Sequence, residues 1–227
     1  MSKSLVIFDL DGTLLDTIRD LGEATNHALV ATGYAPHSLE AYPLFVGNGV
    51  RRLIERALPE DARTDQTIAL VRKHFEEYYD SHNCDNSHPY PGIPELLESL
   101  TDLDVKVAVA SNKYQRAVSA LISHFFPDIP WVAVEGQKEG VPVKPDPSVV
   151  FEILGKCPTP KEQVLYVGDS GVDMETARRA CVDSVGVTWG FRPVRELRQH
   201  QATHIATLPA AILPIVESEP GSVTPAW

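Results

Sequence analysis

The sequence of 227 residues has no apolar run approaching the length of a membrane span, and its start, MSKSLVIFDL, lacks a signal-peptide pattern. A cytoplasmic, soluble protein is the expectation. Cysteine is scarce. Cys84, Cys157 and Cys181 lie far apart with no Cys-x-x-Cys pair, which argues against a disulfide framework and fits a reducing compartment. Basic residues are also the minority, 20 Lys and Arg against 31 Asp and Glu, giving a net charge of -11. That balance excludes a broad nucleic-acid or anionic-membrane surface, since both need clustered Lys and Arg. It also repels phosphorylated ligands at long range, so any phosphate site must be local. Zinc-ligand spacing is absent too: His82 and His88 sit in a polar stretch and read as surface or packing residues.

What the sequence does have is apolar runs of strand length: Leu5–Phe8, Val105–Ala110, Trp131–Val134, Val164–Val167 and Val185–Val187. Helical patterns separate most of them. Ile93, Leu96, Leu97 and Leu100 follow the i, i+3, i+4, i+7 rule, as do Val118, Leu121, Ile122 and Phe125. Continuous apolar strands alternating with amphipathic helices predict an α/β fold, a doubly wound parallel sheet covered on both faces. Between about residues 16 and 85 the alternation stops. Helices over Ile18–Ala31, Val50–Leu58 and Ile68–Tyr79 follow one another, with the polar segment SHNCDNSHPYPG as the return linker. The expected organisation is a core of residues 1–15 and 86–227 with an inserted α-helical cap of residues 16–85. The tail ESEPGSVTPAW has little to pack.

The chemistry gathers at the strand ends. The first strand runs into Asp9 and Asp11, which share one side of an extended chain, with Gly12 directly behind. Two like charges so close repel unless something positive sits between them. In open α/β sheets the ligand crevice lies beyond the carboxyl ends of the strands, and the other strands end in suitable groups: Ser111-Asn112, then Lys144 in VKPDP, then Asp169 with Asp173 a turn later. Asp9, Asp11, Asp169 and Asp173 make a hard oxygen set suited to Mg²⁺. Ser111, Asn112, Lys144 and backbone amides near Gly12 suit phosphate oxygens. Taken singly, these residues have ordinary readings: a helix cap for Ser111-Asn112, a solvated lysine for Lys144, a first-turn helix acid for Asp173. Lys138 in the same loop is a decoy that lacks the following Pro-Asp-Pro.

In this order, DLDGT, SN, KPDP and GDSGVD resemble the four motifs of the haloacid dehalogenase superfamily of phosphatases, and the insertion after the first resembles its helical cap of the first type. A chance Asp-x-Asp-Gly-Thr in a chain of this length is on the order of one in a thousand, and three further motifs at the correct strand ends remove coincidence. Within the superfamily, FDLDGTLLDTIRDLGEATNHALVATG, VGNGVRRLIERAL and YPGIPELLESL look closest to phosphoglycolate phosphatases.

The resemblance implies a Rossmann-like core and Asp9 as a nucleophile forming an aspartyl-phosphate. It makes Asp11 the acid and then the base, and it implies Mg²⁺ held by Asp9, the Asp11 backbone carbonyl and Asp169, with Asp173 orienting the metal or its waters. Phosphate contacts fall to Gly12, Ser111, Asn112 and Lys144. The cap would close on hinges at 14–17 and 87–91, and its GNGVRR loop (Gly47, Gly49, Arg51 and Arg52) is the candidate partner for the rest of the substrate. Arg51 and Arg52 read equally well as a solvated helix face. The implied substrate is a small phosphorylated metabolite, 2-phosphoglycolate first, taken by a monomer or homodimer. A sugar-phosphate phosphatase, a pyrophosphatase and a β-phosphoglucomutase-like phosphomutase share the same core. Asp11 argues against a dehalogenase, and a cap whose one lysine is Lys73 argues against a Schiff-base phosphonate hydrolase. A non-catalytic scaffold on this fold has nothing in its favour, since every motif side chain is present.

Overall fold

The computed structural model describes residues 2–218; residues 219–227, and with them nearly all of the tail, lie outside the described residues. In chain order the elements are β1 (Leu5–Phe8), β2 (Leu15–Asp16), α1 (Ile18–Ala31), α2 (Tyr42–Phe45), α3 (Gly49–Ala57), α4 (Asp65–His82) and β3 (His88–Pro89). There follow α5 (Ile93–Asp102), β4 (Lys106–Tyr114), α6 (Gln115–Phe125), β5 (Trp131–Gln137), α7 (Ser148–Lys156) and β6 (Val164–Gly168). The chain ends with α8 (Gly171–Ala180), β7 (Asp183–Val187), α9 (Val194–Gln199), β8 (His204–Ala206) and α10 (Leu213–Glu217).

Six strands form one parallel sheet in the order β5-β4-β1-β6-β7-β8. The period-2 alternation of side chains sends Val6 and Phe8 of β1 to one face, where they pack with Leu96, Leu97 and Leu100 of α5 and Val118, Leu121 and Ile122 of α6. Leu5 and Ile7 point to the other face, against Val150 and Ile153 of α7 and Ala177 and Ala180 of α8. Burial on both faces explains why these strands read as unbroken apolar runs. Register then decides where the chemistry goes. Phe8 lies beside Val109 of β4 and Val167 of β6, so Asp9, the residues after Ala110 and those after Gly168 emerge at one end of the sheet.

Helices α1–α4 form a second apolar unit around Leu21, Leu53, Ile54, Val71, Phe75 and Tyr79. The chain passes to and from it through β2 and β3, which pair antiparallel (Leu15 with Pro89, Asp16 with His88). Asp20, buried at 2% exposure, fastens this crossing. Its carboxylate accepts from Asn86 N (3.0 Å), Asn86 Nδ2 (2.8 Å), Ser87 N (2.8 Å) and Ser87 Oγ (2.7 Å). We propose residues 16 and 85 as the limits of the cap, with this clamp at their junction.

Three details differ from the sequence reading. α4 begins at Asp65, ahead of the apolar stripe, because Thr64 caps it by accepting from Thr67 N. β8 is an edge strand too short to show a period, and the β2–β3 pair is shorter still. β4 continues past Ala110 through a register shift, so Ser111, Asn112 and Lys113 are strand residues, all three buried.

Candidate active site

At the end of β1, Asp9 N donates to Val167 O (2.8 Å), and Asp9 Oδ1 accepts from Leu10 N (2.7 Å), which fixes the carboxylate toward the strand ends. Gly12 follows with φ of 81°. A Cβ there would overlap the Asp169 carboxylate, so only glycine lets this turn close against Asp169. Asp169 leaves β6, and its Oδ2 accepts from Phe191 N (2.6 Å) in the loop after β7. Asp173 sits one turn into α8, in a capping box with Ser170: Ser170 Oγ donates to Asp173 Oδ2 at 2.6 Å.

Lys144 joins these acids. Its ammonium lies 2.9 Å from Asp9 Oδ1 and 2.8 Å from Asp173 Oδ1, and it donates to Ala110 O at 2.9 Å. All three donors are therefore spent on protein acceptors. Asp9, Asp169 and Asp173 each bring an oxygen to a common region in which these atoms lie within 4.8 Å of one another. Three carboxylates against one ammonium leave an excess of two negative charges in a buried pocket, which one divalent cation would cancel. The electrostatics carry the mark of that excess. Burial, then the charges of Asp173 and Asp11, push Asp9 up to about 7 despite the pull of Lys144. Burial, Asp173 and Asp9 likewise hold Asp169 well above the usual carboxylate range. For Lys144, burial alone would lower its pKa, but Asp173 and Asp9 overcome this and hold it well above the ordinary lysine value.

The donor set fits Mg²⁺, a hard ion that prefers carboxylates and water. Both Asp173 oxygens are taken by Lys144 and Ser170, whereas Asp9 Oδ2 and Asp169 Oδ1 have no protein hydrogen-bond partner among the described residues. Asp9 and Asp169 are thus the pair with oxygens to offer.

Asp11 stands apart from the acid cluster. Its Oδ1 accepts from Thr17 Oγ1 (2.6 Å) and lies 3.0 Å from Lys113 Nζ. The Ser111 hydroxyl accepts from Lys113 N at 3.1 Å and keeps its own proton to donate. Asn112 departs from the sequence expectation. Its Oδ1 accepts from Lys144 N (2.8 Å), while its amide donates to Lys144 O (3.1 Å) and Gly47 O (3.2 Å). The side chain pins the Lys144 loop and the cap loop, and is not a spare phosphate donor.

Val46, Gly47, Gly49, Val50, Leu53, Phe75 and Tyr79 of the cap face Asp9, Asp11, Ser111, Asn112 and Lys113 of the core across a cavity of about 40 Å³. Gly49 has φ of 81° and lies close to Gln137 and the Asn112 backbone. Arg192, after β7, donates to Val46 O at 2.9 Å and ties the cap loop to the core. Arg51 and Arg52 are corrected by the structure. Arg51 pairs with Asp65 (2.6 Å) and Glu55 (3.0 Å), Arg52 pairs with Glu55 (2.6 Å), and both are exposed outside this cavity. The buried stripe of α3, Val50, Leu53, Ile54 and Ala57, turns positions 51 and 52 away. The sequence reading also missed Lys113, Asp20 and Arg192. Lys113 had a signal, its place directly after Ser111-Asn112; the other two act through contacts distant in sequence.

Comparison with known proteins agrees with this geometry. The family model described as haloacid dehalogenase-like hydrolase matches residues 6–187. A phosphoglycolate phosphatase of Pseudomonas putida is 34% identical over 223 residues, covering 92% of this chain and 78% of that protein. One from Mesorhizobium japonicum is 34% identical over 200 residues, covering 86% and 88%. Among solved structures, a Lactobacillus delbrueckii protein superposes with a TM-score of 0.90 at 33% identity, covering 96% of this chain and all of the other. No helix among the described residues is long and apolar enough to cross a membrane. With the family model spanning β1 to β7 and relatives above 30% identity along most of the chain, this protein belongs to the haloacid dehalogenase-like hydrolases.

Proposed function

We propose that the chain is a Mg²⁺-dependent phosphomonoester hydrolase that works through an aspartyl-phosphate on Asp9, with 2-phosphoglycolate or an ester of similar size as substrate. The observation that carries this reading is the buried excess of negative charge around Asp9, with one lysine to offset it and open oxygens on Asp9 and Asp169. The relatives' names, phosphoglycolate phosphatase, support the substrate class.

In this reading an Asp9 carboxylate oxygen attacks phosphorus; the new O–P bond forms as the bond to the ester oxygen breaks. Asp11 gives its proton to the leaving alcohol, then takes one from the water that attacks the phosphoryl group, freeing Asp9 and inorganic phosphate. Asp9, Asp169 and the Asp11 carbonyl would hold Mg²⁺, which when bound would supply positive charge to offset the nucleophile and the phosphoryl oxygens. Lys144 holds Asp9 in line, Asp173 holds Lys144, and the Ser111 hydroxyl and the amides of the Gly12 turn steady the phosphoryl oxygens. Thr17 and Lys113 aim Asp11 into the cavity. The cap and core leave a space of about 40 Å³ between them, room for about three water molecules. Its apolar lining excludes water once closed.

The test is a panel of 2-phosphoglycolate, a hexose phosphate and inorganic pyrophosphate, ranked by kcat/KM with Mg²⁺. Phosphoglycolate should lead, and Asp9→Asn should lower turnover of every member at least about a thousandfold. An Asp9→Asn enzyme working at the wild-type rate defeats the mechanism, and a hexose phosphate at the head of the ranking defeats the substrate.

A further inference from the structure

The structure assigns a role to Lys113: we propose that it is the anion receptor for the leaving group, so that the enzyme takes phosphate esters whose alcohol carries a second negative charge close to the ester oxygen. The inference rests on the phosphatase reading above and deepens it.

Lys113 is a core residue whose side chain is only 4% exposed. Its ammonium lies 3.0 Å from Asp11 Oδ1, donates to Tyr79 Oη at 2.9 Å, and sits 4.6 Å from the centroid of the same tyrosine ring. An ammonium has three donors. Two are engaged among the described residues, which leaves one N–H for a ligand. Burying an ammonium with an unused donor is costly unless something fills it.

The surroundings say what that ligand is. Of the residues lining the cavity, Lys113 is the one cation. Among the cap side chains that line the cavity, Leu21, Val46, Val50, Leu53 and Phe75 offer no partner to an anion, and the Tyr79 hydroxyl already accepts from Lys113. The arginines nearest in sequence to the cap loop are committed elsewhere, Arg51 to Asp65 and Glu55, Arg52 to Glu55. Lys144 has spent its donors on Asp9, Asp173 and Ala110. Lys113 is therefore the one charged side chain lining the cavity that can meet an anionic leaving group.

Geometry sets how near the second charge must be. Asp11 protonates the ester oxygen and stands 3.0 Å from the ammonium. With hydrogen bonds of about 2.8 Å from each converging on one ligand, the ester oxygen and the anionic oxygen can sit a few ångström apart, the spacing in an ester of a 2-hydroxy acid. A terminal phosphate of pyrophosphate meets the same requirement. Because Tyr79 comes from α4 of the cap, the Lys113–Tyr79 contact exists only with the cap against the core, so the receptor is complete only when the site is closed.

The experiment compares 2-phosphoglycolate with ethyl phosphate, which replaces the carboxylate by a methyl group, and with inorganic pyrophosphate, for wild type and Lys113→Met. Wild type should prefer an anionic substrate over ethyl phosphate by about ten- to a hundredfold in kcat/KM, the worth of a charge-assisted hydrogen bond. Whichever of phosphoglycolate and pyrophosphate is preferred identifies the anion as carboxylate or phosphate. In Lys113→Met the anionic substrates should lose about ten- to a hundredfold more kcat/KM than ethyl phosphate, whose own loss reports the part Lys113 plays in aiming Asp11, so that the preference vanishes; Lys113→Arg should restore part of it. Equal loss on the anionic and neutral substrates would reduce Lys113 to a prop for Asp11 and overturn the proposal. A wild type that takes ethyl phosphate as well as the anionic substrates would overturn it without any variant, and leaves the phosphatase reading standing. Failure of wild type on all three is instead the failure of that reading.

Discussion

Lys144→Met removes the cation that holds Asp9 and Asp173 together and leaves the acid cluster to repel itself. The wild-type ammonium is 2.9 Å and 2.8 Å from the two carboxylates and almost wholly buried. Unit charges at that distance attract by about 6 kcal/mol in an effective dielectric of about 20. Most of that attraction offsets desolvation, and removing one partner from a buried pair costs about 3–5 kcal/mol. That range is the expected loss at pH 8 without metal.

The loss should shrink in acid. Asp9 is raised to about 7 in the fold, above its unfolded value of about 3.9. The folded state therefore holds a proton that the unfolded state has released, and stability falls as pH rises through that window. Without Lys144 the Asp9 value rises further, so the variant goes on losing stability above pH 7, where the wild type has levelled off. At pH 5 Asp9 is largely protonated, so one of the charges that Lys144 offsets is gone and the difference should be clearly smaller than at pH 8. Urea unfolding followed by tryptophan fluorescence, in chelator at both pH values, measures this. Mg²⁺ should stabilise the variant more than the wild type, because it replaces the missing charge. A difference below about 1 kcal/mol at pH 8, or one equal at both pH values, refutes the reasoning.

Three further expectations concern other parts of the structure. Mg²⁺ binding should release protons below pH 7, because the metal needs the Asp9 carboxylate that burial keeps protonated there; calorimetry in buffers of different ionisation enthalpy should find the release falling as pH rises through about 7, and release independent of pH contradicts it. Gly12→Ala puts a methyl group onto Asp169 in a backbone with φ of 81°, and Mn²⁺ affinity by titration should drop at least about tenfold. Asp20→Ala strips acceptors from the Asn86 and Ser87 donors and should cost about 2–4 kcal/mol, with faster amide exchange at residues 86–89; unchanged protection there would show that the clamp does not hold the crossing.

The strands of the sheet core were legible because burial on both faces leaves unbroken apolar runs, and α1 matches its predicted span because its apolar stripe ends at a left-handed Gly33. That Asp9, Asp11, Ser111, Lys144, Asp169 and Asp173 come together at one end of the sheet was legible because each lies near the carboxyl end of a strand or in the segment that follows one. Elements of two or three residues, such as β2, β3 and β8, carry no period to read. Asp20 looks like an ordinary first-turn helix acid until the chain brings Asn86 and Ser87 onto it. Asn112 shows the limit at a motif residue: sequence placed it at the right strand end, but only packing shows that its amide is consumed by Lys144 and Gly47. Arg51 and Arg52 were offered to the substrate by proximity to the glycine loop, although the α3 periodicity already turned them outward.

The claim beneath all of this is that one divalent cation is shared between β1 and β6. Anomalous diffraction from crystals soaked in Mn²⁺ tests it most directly. The account predicts a single strong peak in contact with Asp9 and Asp169, lost in Asp169→Asn crystals; a peak elsewhere, or density between those two carboxylates that shows no anomalous signal, contradicts it.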